Sequence, residues 1–467
     1  MFSSRAPVLL CFLALLLLCS PSVVRAQWEP DVRLTYNDSF STITSSRSAR
    51  NVAAGQGNDV YTIWYDYRDG NGEVYFKRST DGGTSWNPDQ RLTNNPDTSQ
   101  HPSLAVSGAS IHVAWMDRRD GNFEIYYQCS TDRGTTWGPE TRLTRDPFQS
   151  WGPAISVSGA TVHIAWGDEQ DQQYGIFYIR STDGGATWTP NIRLNQSDGW
   201  PGPALAASQT DLHVAWMVLW GIGYQRSTDG GTTWSRDTML VQSPVGAGFP
   251  SVDAQGPEVH LAWQDARDGN PEIYYKRSSD RGATWSSDIR LTFDTSYTGI
   301  PSVTASGNNV HIVWWDGRDA NLEIYYKRST DGGASWDGDT RLTYGANASI
   351  YPSTAVSGST VHLVWADGRD GNREIYYKRN PTGNSGVEGS TSSAPISHFP
   401  FSICPNPFVS FATVPGHSSE SFTLYDISGR RVGTYRGDRI GEGLRAGVYF
   451  LRSSDSNAKP LRIVKVR

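Results

Sequence analysis

The chain has 467 residues, with 41 Lys and Arg against 47 Asp and Glu, four Cys and a net charge of −6. That balance gives no basic surface for a nucleic-acid backbone, so nucleic acid is excluded as partner. Four cysteines are too few for a disulfide framework, and beyond one short run at the start no segment is long and apolar enough for a membrane helix.

The first element is that short run. Arg5, the apolar stretch Val8 to Cys19 and the small-residue end "SVVRA" at Ala26 form the n-region, h-region and cleavage site of an export signal, residues 1–26. Leu18 before Cys19 argues against a lipoprotein. Cleavage removes Arg5 and Arg25 and no acid, so the basic count falls from 41 to 39 against 47 acids, a net of −8. Cys11 and Cys19 leave with the signal, and Cys129 and Cys404 remain in different segments.

From residue 27 the chain repeats itself, and the repeat governs the reading. "STDGGTSW" (79–86) returns as "STDRGTTW", "STDGGATW", "STDGGTTW", "SSDRGATW" and "STDGGASW", placing Asp81, Asp132, Asp183, Asp229, Asp280 and Asp331 mostly 51 residues apart. A second phrase, "VHVAW" and its variants, puts Trp at 64, 115, 166, 216, 263, 314 and 365. Each unit has four short β-type runs separated by Gly, Asp and Asn turns, and nowhere is there a helical period. Four strands per repeat at this spacing predicts a β-propeller blade. There are seven Trp strands and seven "RLT"-type outer strands but six boxes. The first outer strand, "DVRLT" (31–35), precedes any complete blade, and the last blade, about 350–379, lacks one. The predicted fold is therefore all-β, a seven-bladed propeller over residues 27–379 whose N-terminal strand completes the last blade and removes an open sheet edge.

The eight-residue phrase joins two strands of a blade, so it predicts a hairpin corner. Asp accepts turn N–H groups, Gly supplies positive φ, and Trp buries a ring against the blade. These residues resemble the Asp-box, or bacterial neuraminidase repeat, S-x-D-x-G-x-[ST]-W, of the sialidase superfamily. In families that carry it the box is a structural corner on the face opposite the active site, which implies six corners and no six active sites.

Three other patterns suggest chemistry. His112, His163, His213, His260, His311 and His362 hold one position in six blades; spread round a ring they cannot converge on one metal, so hydrogen-bonded histidines between blades are expected. The phrase "WxDxRDGNxE" (Trp64 to Glu73 and four later copies) lacks EF-hand spacing and reads as a charged hairpin tip, with no metal and no cofactor. The sialidase resemblance implies a Tyr–Glu nucleophile pair, an Asp acid/base and three arginines, with an Arg-Ile-Pro phrase near the first inner strand. Here the nearest equivalent is "SARNV", with Arg50 but no Ile-Pro, and the "EIYY" pairs recur in many blades, as structural residues do. Sialidase domains of this type have six blades. No catalytic residue is assigned, and an exo-acting sialidase or related glycoside hydrolase stays as the alternative function.

Function in a near-symmetric ring belongs where the repeats disagree. Of 18 Trp, 13 sit in boxes or Trp strands; the others are Trp28, Trp151, Trp200, Trp220 and Trp315. Trp151 and Trp200 fall in loops entering inner strands, while Trp220 and Trp315 fall in second-strand turns, that of Trp220 being four residues short. Arg50, His101, Phe249 and Tyr351 precede or start inner strands. Together these residues predict an aromatic mouth opposite the boxes that binds a glycan or an extracellular protein. The competing reading is that the rings only plug the channel.

After Arg379, "NPTGNSGVEGSTSSAPIS" (380–397) is a Gly/Ser-rich linker. In 398–467 the phrases "CPNPF", "LYDISGRRVGTY", "LRAGVYFLR" and "RIVKVR" resemble the C-terminal sorting domain of type IX secretion. The resemblance implies a small β-sandwich that engages that secretion machinery. The expectation is a monomeric protein, secreted or displayed on the cell surface after export through the periplasm.

Overall fold

The computed structural model describes residues 28–44, 50–170, 173–195, 202–383, 421–426, 430–436, 438–453 and 461–465. The export signal, Trp200, Cys404 and linker residues 384–397 lie outside them. The described residues are strands and turns, with no helix long and apolar enough to cross a membrane. The chain divides into two units, 1–388 and 389–467.

The described residues of the first unit form seven antiparallel sheets. Six have four strands; in the other, Ser41–Thr42 and Val52–Ala54 both pair with Val60–Asp66. We number them by inner strand: Val52–Ala54 (sheet 1), Ser99–Ser107 (2), Ser150–Ser158 (3), Ala204–Ser208 (4), Ala247–Gln255 (5), Thr298–Ser306 (6) and Ser349–Ser357 (7). Each inner strand lies against that of the next sheet, and the inner strand of sheet 7 lies against that of sheet 1. The outer strand of sheet 7 is Val32–Arg33, pairing Val32 with Tyr377 and Arg33 with Tyr376. This all-β arrangement is a β-propeller, and the N-terminal segment completes its last sheet.

The second strand of each sheet is buried on both faces, which is why it reads as an almost unbroken apolar run. At its centre stands a tryptophan, Trp64, Trp115, Trp166, Trp216, Trp263, Trp314 or Trp365, each at most 1% exposed. The indole N–H of Trp115 donates to Asp117 at 2.9 Å, and the same step recurs in Trp166, Trp263, Trp314 and Trp365. In sheet 2, Asp117 also takes the Arg119 guanidinium at 2.6 Å, and Arg119 lies 4.4 Å over Tyr126. The acids of the "RDGN" phrase are thus bonded by arginine, tryptophan and hydroxyl donors, as a charged hairpin tip requires.

The boxes are corners. Asp183 accepts Thr187 N (2.8 Å), the Thr187 hydroxyl (2.6 Å) and the Ser181 hydroxyl (2.7 Å), while Ser181 Oγ accepts Gly185 N. Gly185 has φ +96°, and a Cβ there would lie 2.0 Å from the Tyr127 hydroxyl. The box Trp packs across the sheet boundary rather than on its own sheet: Trp188 meets Tyr127 of sheet 2 edge-on at 4.9 Å, and Trp86 meets Tyr377 of sheet 7 likewise. The histidines differ from expectation in the opposite sense, bonding within a sheet rather than between blades. His112 Nδ1 pairs with Tyr127 OH of its own sheet at 2.7 Å, and that hydroxyl reaches Gly184 O of the next box at 3.2 Å. Burial holds His112 down at about 4, so it is neutral at neutral pH.

The missing seventh box is present in two pieces. Trp28 meets Tyr326 of sheet 6 edge-on at 5.0 Å, and Glu29 N bonds Arg379 O as Asn87 N bonds Arg78 O. Past the last strand of sheet 7, Gly383 O accepts the Tyr326 hydroxyl at 3.3 Å. The third strand of sheet 7 runs to Asn380 and its turn to Gly383, past the expected limit at 379.

In the second unit the described strands form one sheet, in the order 431–436, 421–426, 447–453, 461–465, around buried Phe422, Leu424, Ile440 and Leu451. Among the described residues it is a single sheet.

Candidate functional site

Near the start of most inner strands an extra residue breaks the register. In sheets 2, 3, 5, 6 and 7 the pairing skips between Gln100 and Ser103, Trp151 and Ala154, Gly248 and Ser251, Gly299 and Ser302, and Ile350 and Ser353. The residue before proline in each bulge has positive φ: His101 (50°), Gly152 (55°), Phe249 (52°), Ile300 (48°) and Tyr351 (57°). Gly202 in sheet 4 has φ 95°. Positive φ in a β-branched residue such as Ile300 is rare, and each strained position costs about 1–3 kcal/mol. The X-Pro step carries the signal for this ring in sequence. It shows that Trp151 lies one residue outside the bulge position, which Gly152 holds, and that Ile300 belongs to the set although sequence reasoning passed over it.

In sheet 1, Arg50 aligns with Pro102, one residue past the bulge position. Its guanidinium forms an ion pair with Asp253 of sheet 5, and Asp253 also accepts Ala305 N of sheet 6 at 2.8 Å. This bar joins sheets far apart in sequence. Toward the bulges, Arg50, Ile300 and Tyr351 border a cavity of only about 20 Å³. Further along the inner strands, a channel of about 260 Å³ is lined by residues of all seven, Val52, Leu104, Ile155, Ala207, Gln255, Thr304 and Val356 among them, and also by Arg50 and Asp253. Arg50 is therefore part of a plug, and its guanidinium is engaged.

The remaining predicted residues separate into pairs. Trp151 is half-buried against exposed Tyr174 (5.8 Å), with its N–H on Gln149 Oε1 at 3.3 Å. Trp315 stacks on Tyr297 at 5.0 Å and 17°, with Tyr297 47% exposed. Trp220 is 53% exposed beside exposed Leu219, and its carbonyl accepts Ser243 N at 2.9 Å. His101 lies 5.4 Å from Tyr65, and Tyr351 lies 6.0 Å from the Arg373 guanidinium. The structure gathers Arg50, Ile300 and Tyr351 at one cavity and leaves Trp151, Trp220 and Trp315 on separate sheets.

One buried acid departs from its five acidic counterparts. In sheet 3, Gln170 takes the sequence place of the arginine that pairs with Asp117 in sheet 2. Asp168 keeps the Ser150 hydroxyl (2.8 Å) and the Trp166 N–H (3.0 Å), but its Oδ1 has no partner. Burial pushes its carboxyl up to about 6. In sheet 4 the position is Val218, and the buried Trp216 N–H goes unbonded.

No protein-family model matches the chain, and no curated protein matches it. Among solved structures it is similar to the polysaccharide lyase Uly1, at 10% identity over 76% of this chain and 99% of that one, TM-score 0.52. It is similar also to a PL25 ulvan lyase, at 9% identity over 74% and 95%, TM-score 0.52. The phage phi92 endosialidase aligns at 11% identity over 94% of this chain and 87% of that one, TM-score 0.48. At these identities the likeness to the two lyases concerns the fold, a β-propeller, and not its chemistry.

Proposed function

We propose that this chain is an exported seven-bladed Asp-box propeller whose mouth, opposite the boxes, binds a glycan. The observation that carries the reading is the ring of bulges. Strained backbone is retained at the same end of sheet after sheet, with His101, Phe249, Ile300 and Tyr351 held at positive φ. Such strain persists where it positions side chains for a ligand. Aromatic faces near that end, Trp220 and the Trp315–Tyr297 pair, suit the C–H faces of sugars. The export signal (1–26) and a type IX-like sorting unit (398–467) would deliver a monomeric protein outside the cell or onto its surface.

The alternative, an exo-acting sialidase or related hydrolase, needs a pocket around a terminal sugar and free arginines. A cavity of about 20 Å³ and an Arg50 occupied by Asp253 weigh against it. The test is a glycan array probed with residues 27–467, followed by turnover of a fluorogenic sialoside. Array binding without turnover supports the binding module. Turnover at enzymatic rates supports the hydrolase, and neither binding nor turnover removes the glycan reading.

A further inference from the structure

Five contacts string six side chains along one side of the mouth, from sheet 7 across sheet 1 to sheet 2. Tyr351 lies 6.0 Å from the Arg373 guanidinium, which lies 4.9 Å from the Phe40 ring. Phe40 meets Tyr67 at 6.2 Å, Tyr67 meets Tyr65 at 6.1 Å, and Tyr65 meets His101 at 5.4 Å. Tyr65 is buried and supports the row; the others are half-buried. The arc exists only where the N-terminal segment closes the ring, because Phe40 follows the closing strand.

Arg373 is the exceptional member. The hairpin arginines Arg68, Arg119, Arg267, Arg318 and Arg369 each pair with two carboxylates. Arg373 sits between two aromatic rings, with no carboxylate among the described residues in ion-pair reach. Its place is Gly72, Phe123, Pro271 and Leu322 in sheets 1, 2, 5 and 6, so the cation is particular to sheet 7. Near the other end of the arc, exposed Arg118 bonds Thr98 O through its N–H, and Gln100 links Thr98 Oγ1 to the Tyr67 hydroxyl.

A guanidinium presented between rings takes an oxyanion in a planar, two-pronged bond. Each step of the arc is close to the length of one sugar ring, so the row accommodates several sugars in line. Among the described residues, the cavity at the plug holds only about 20 Å³, too little to enclose a single terminal sugar. We propose that the ligand is an acidic polysaccharide lying along this arc, with an anionic substituent, carboxylate or sulfate ester, seated on Arg373. The proposal rests on the glycan reading above and names its ligand class.

The test is titration of the mature protein with polygalacturonate, dextran sulfate, neutral dextran and 3′-sialyllactose, alongside Arg373→Ala, Arg373→Lys and Tyr67→Ala. At least one acidic polymer is expected to bind at least tenfold tighter than dextran, and which one separates carboxylate from sulfate. Arg373→Ala should weaken that binding by tenfold or more and flatten its salt dependence, with Arg373→Lys between it and the parent. Should Arg373→Ala fail to fold, Arg373→Lys and Tyr67→Ala, each weakening binding at an unchanged melting temperature, carry the test. Acidic binding untouched by folded Arg373 variants overturns the proposal, as does 3′-sialyllactose binding as tightly as the polymers. Dextran binding equal to the acids overturns it and spares the glycan reading; no binding to any glycan overturns both.

Discussion

Replacing Trp28 tests the divided seventh corner. Trp28 is half-buried, and its ring meets Tyr326 edge-on at 5.0 Å, as Trp336 meets Tyr275 at 4.8 Å in the box of sheet 6. About 100 Å² of indole kept from water, at about 25 cal/mol per Å², stabilises by about 2.5 kcal/mol, and the edge-to-face contact adds about 1 kcal/mol. Trp28→Ala should therefore cost about 3 kcal/mol. In a unit of this size 1 kcal/mol moves the midpoint by about 2 °C, so a fall of about 5–7 °C is expected. The assay is scanning calorimetry of residues 27–467 at one fixed scan rate, with Trp86→Ala as the ordinary-corner control. Trp28→Phe should recover part of the loss. If Trp28→Ala melts with the parent while Trp86→Ala falls, Trp28 is not a corner residue and the closure argument loses its support.

Three further outcomes follow from individual side chains. Asp183→Ala removes the acceptor for Thr187 and Ser181, so the melting temperature should fall while glycan binding by the folded protein is unchanged; binding lost at an unchanged melting temperature would make the box a site. Asp168 has a folded value near 6, above its ordinary one, so its favourable contribution is full below the ordinary carboxylate range and is lost as pH rises through about 6. Asp168→Asn should raise stability at pH 8 by up to about 3 kcal/mol and by about half as much at pH 5, and an equal effect at both pH values, read by urea unfolding, would contradict the buried unpartnered oxygen. Tyr67→Ala, in the middle of the arc, should weaken glycan binding by about 1–3 kcal/mol at constant melting temperature, whereas Trp137→Ala, edge-on to Phe76 at 5.2 Å, should lower the melting temperature and spare binding.

The repeat made the architecture legible because each sheet is written in nearly the same words. The Trp strands, the outer "RLT" strands and the six boxes fall where their spacing puts them, and the orphan strand at 31–35 closes sheet 7. Trp28 stands apart from the boxes in sequence because half of its corner lies 355 residues away, at Gly383. The mouth was harder. A bulge moves register by one residue, so Trp151 drew attention while Gly152 holds the positive-φ place. Arg50 stands in the sequence as a mouth residue, and the ring brings Asp253 to it from four sheets on, a meeting no local pattern encodes. Asp168 differs from Asp117 by a missing arginine two residues on, which the repeat alignment does contain.

The central claim is that the ligand sits on the bulge end of the ring and not on the boxes. Hydrogen exchange with and without a saturating acidic oligosaccharide reads this directly, peptide by peptide. Protection is expected at 98–101, 349–352 and 372–374, with the box turns at 79–86 and 181–188 unchanged. Protection confined to the box turns, with the bulge segments exchanging as in the free protein, would contradict the account.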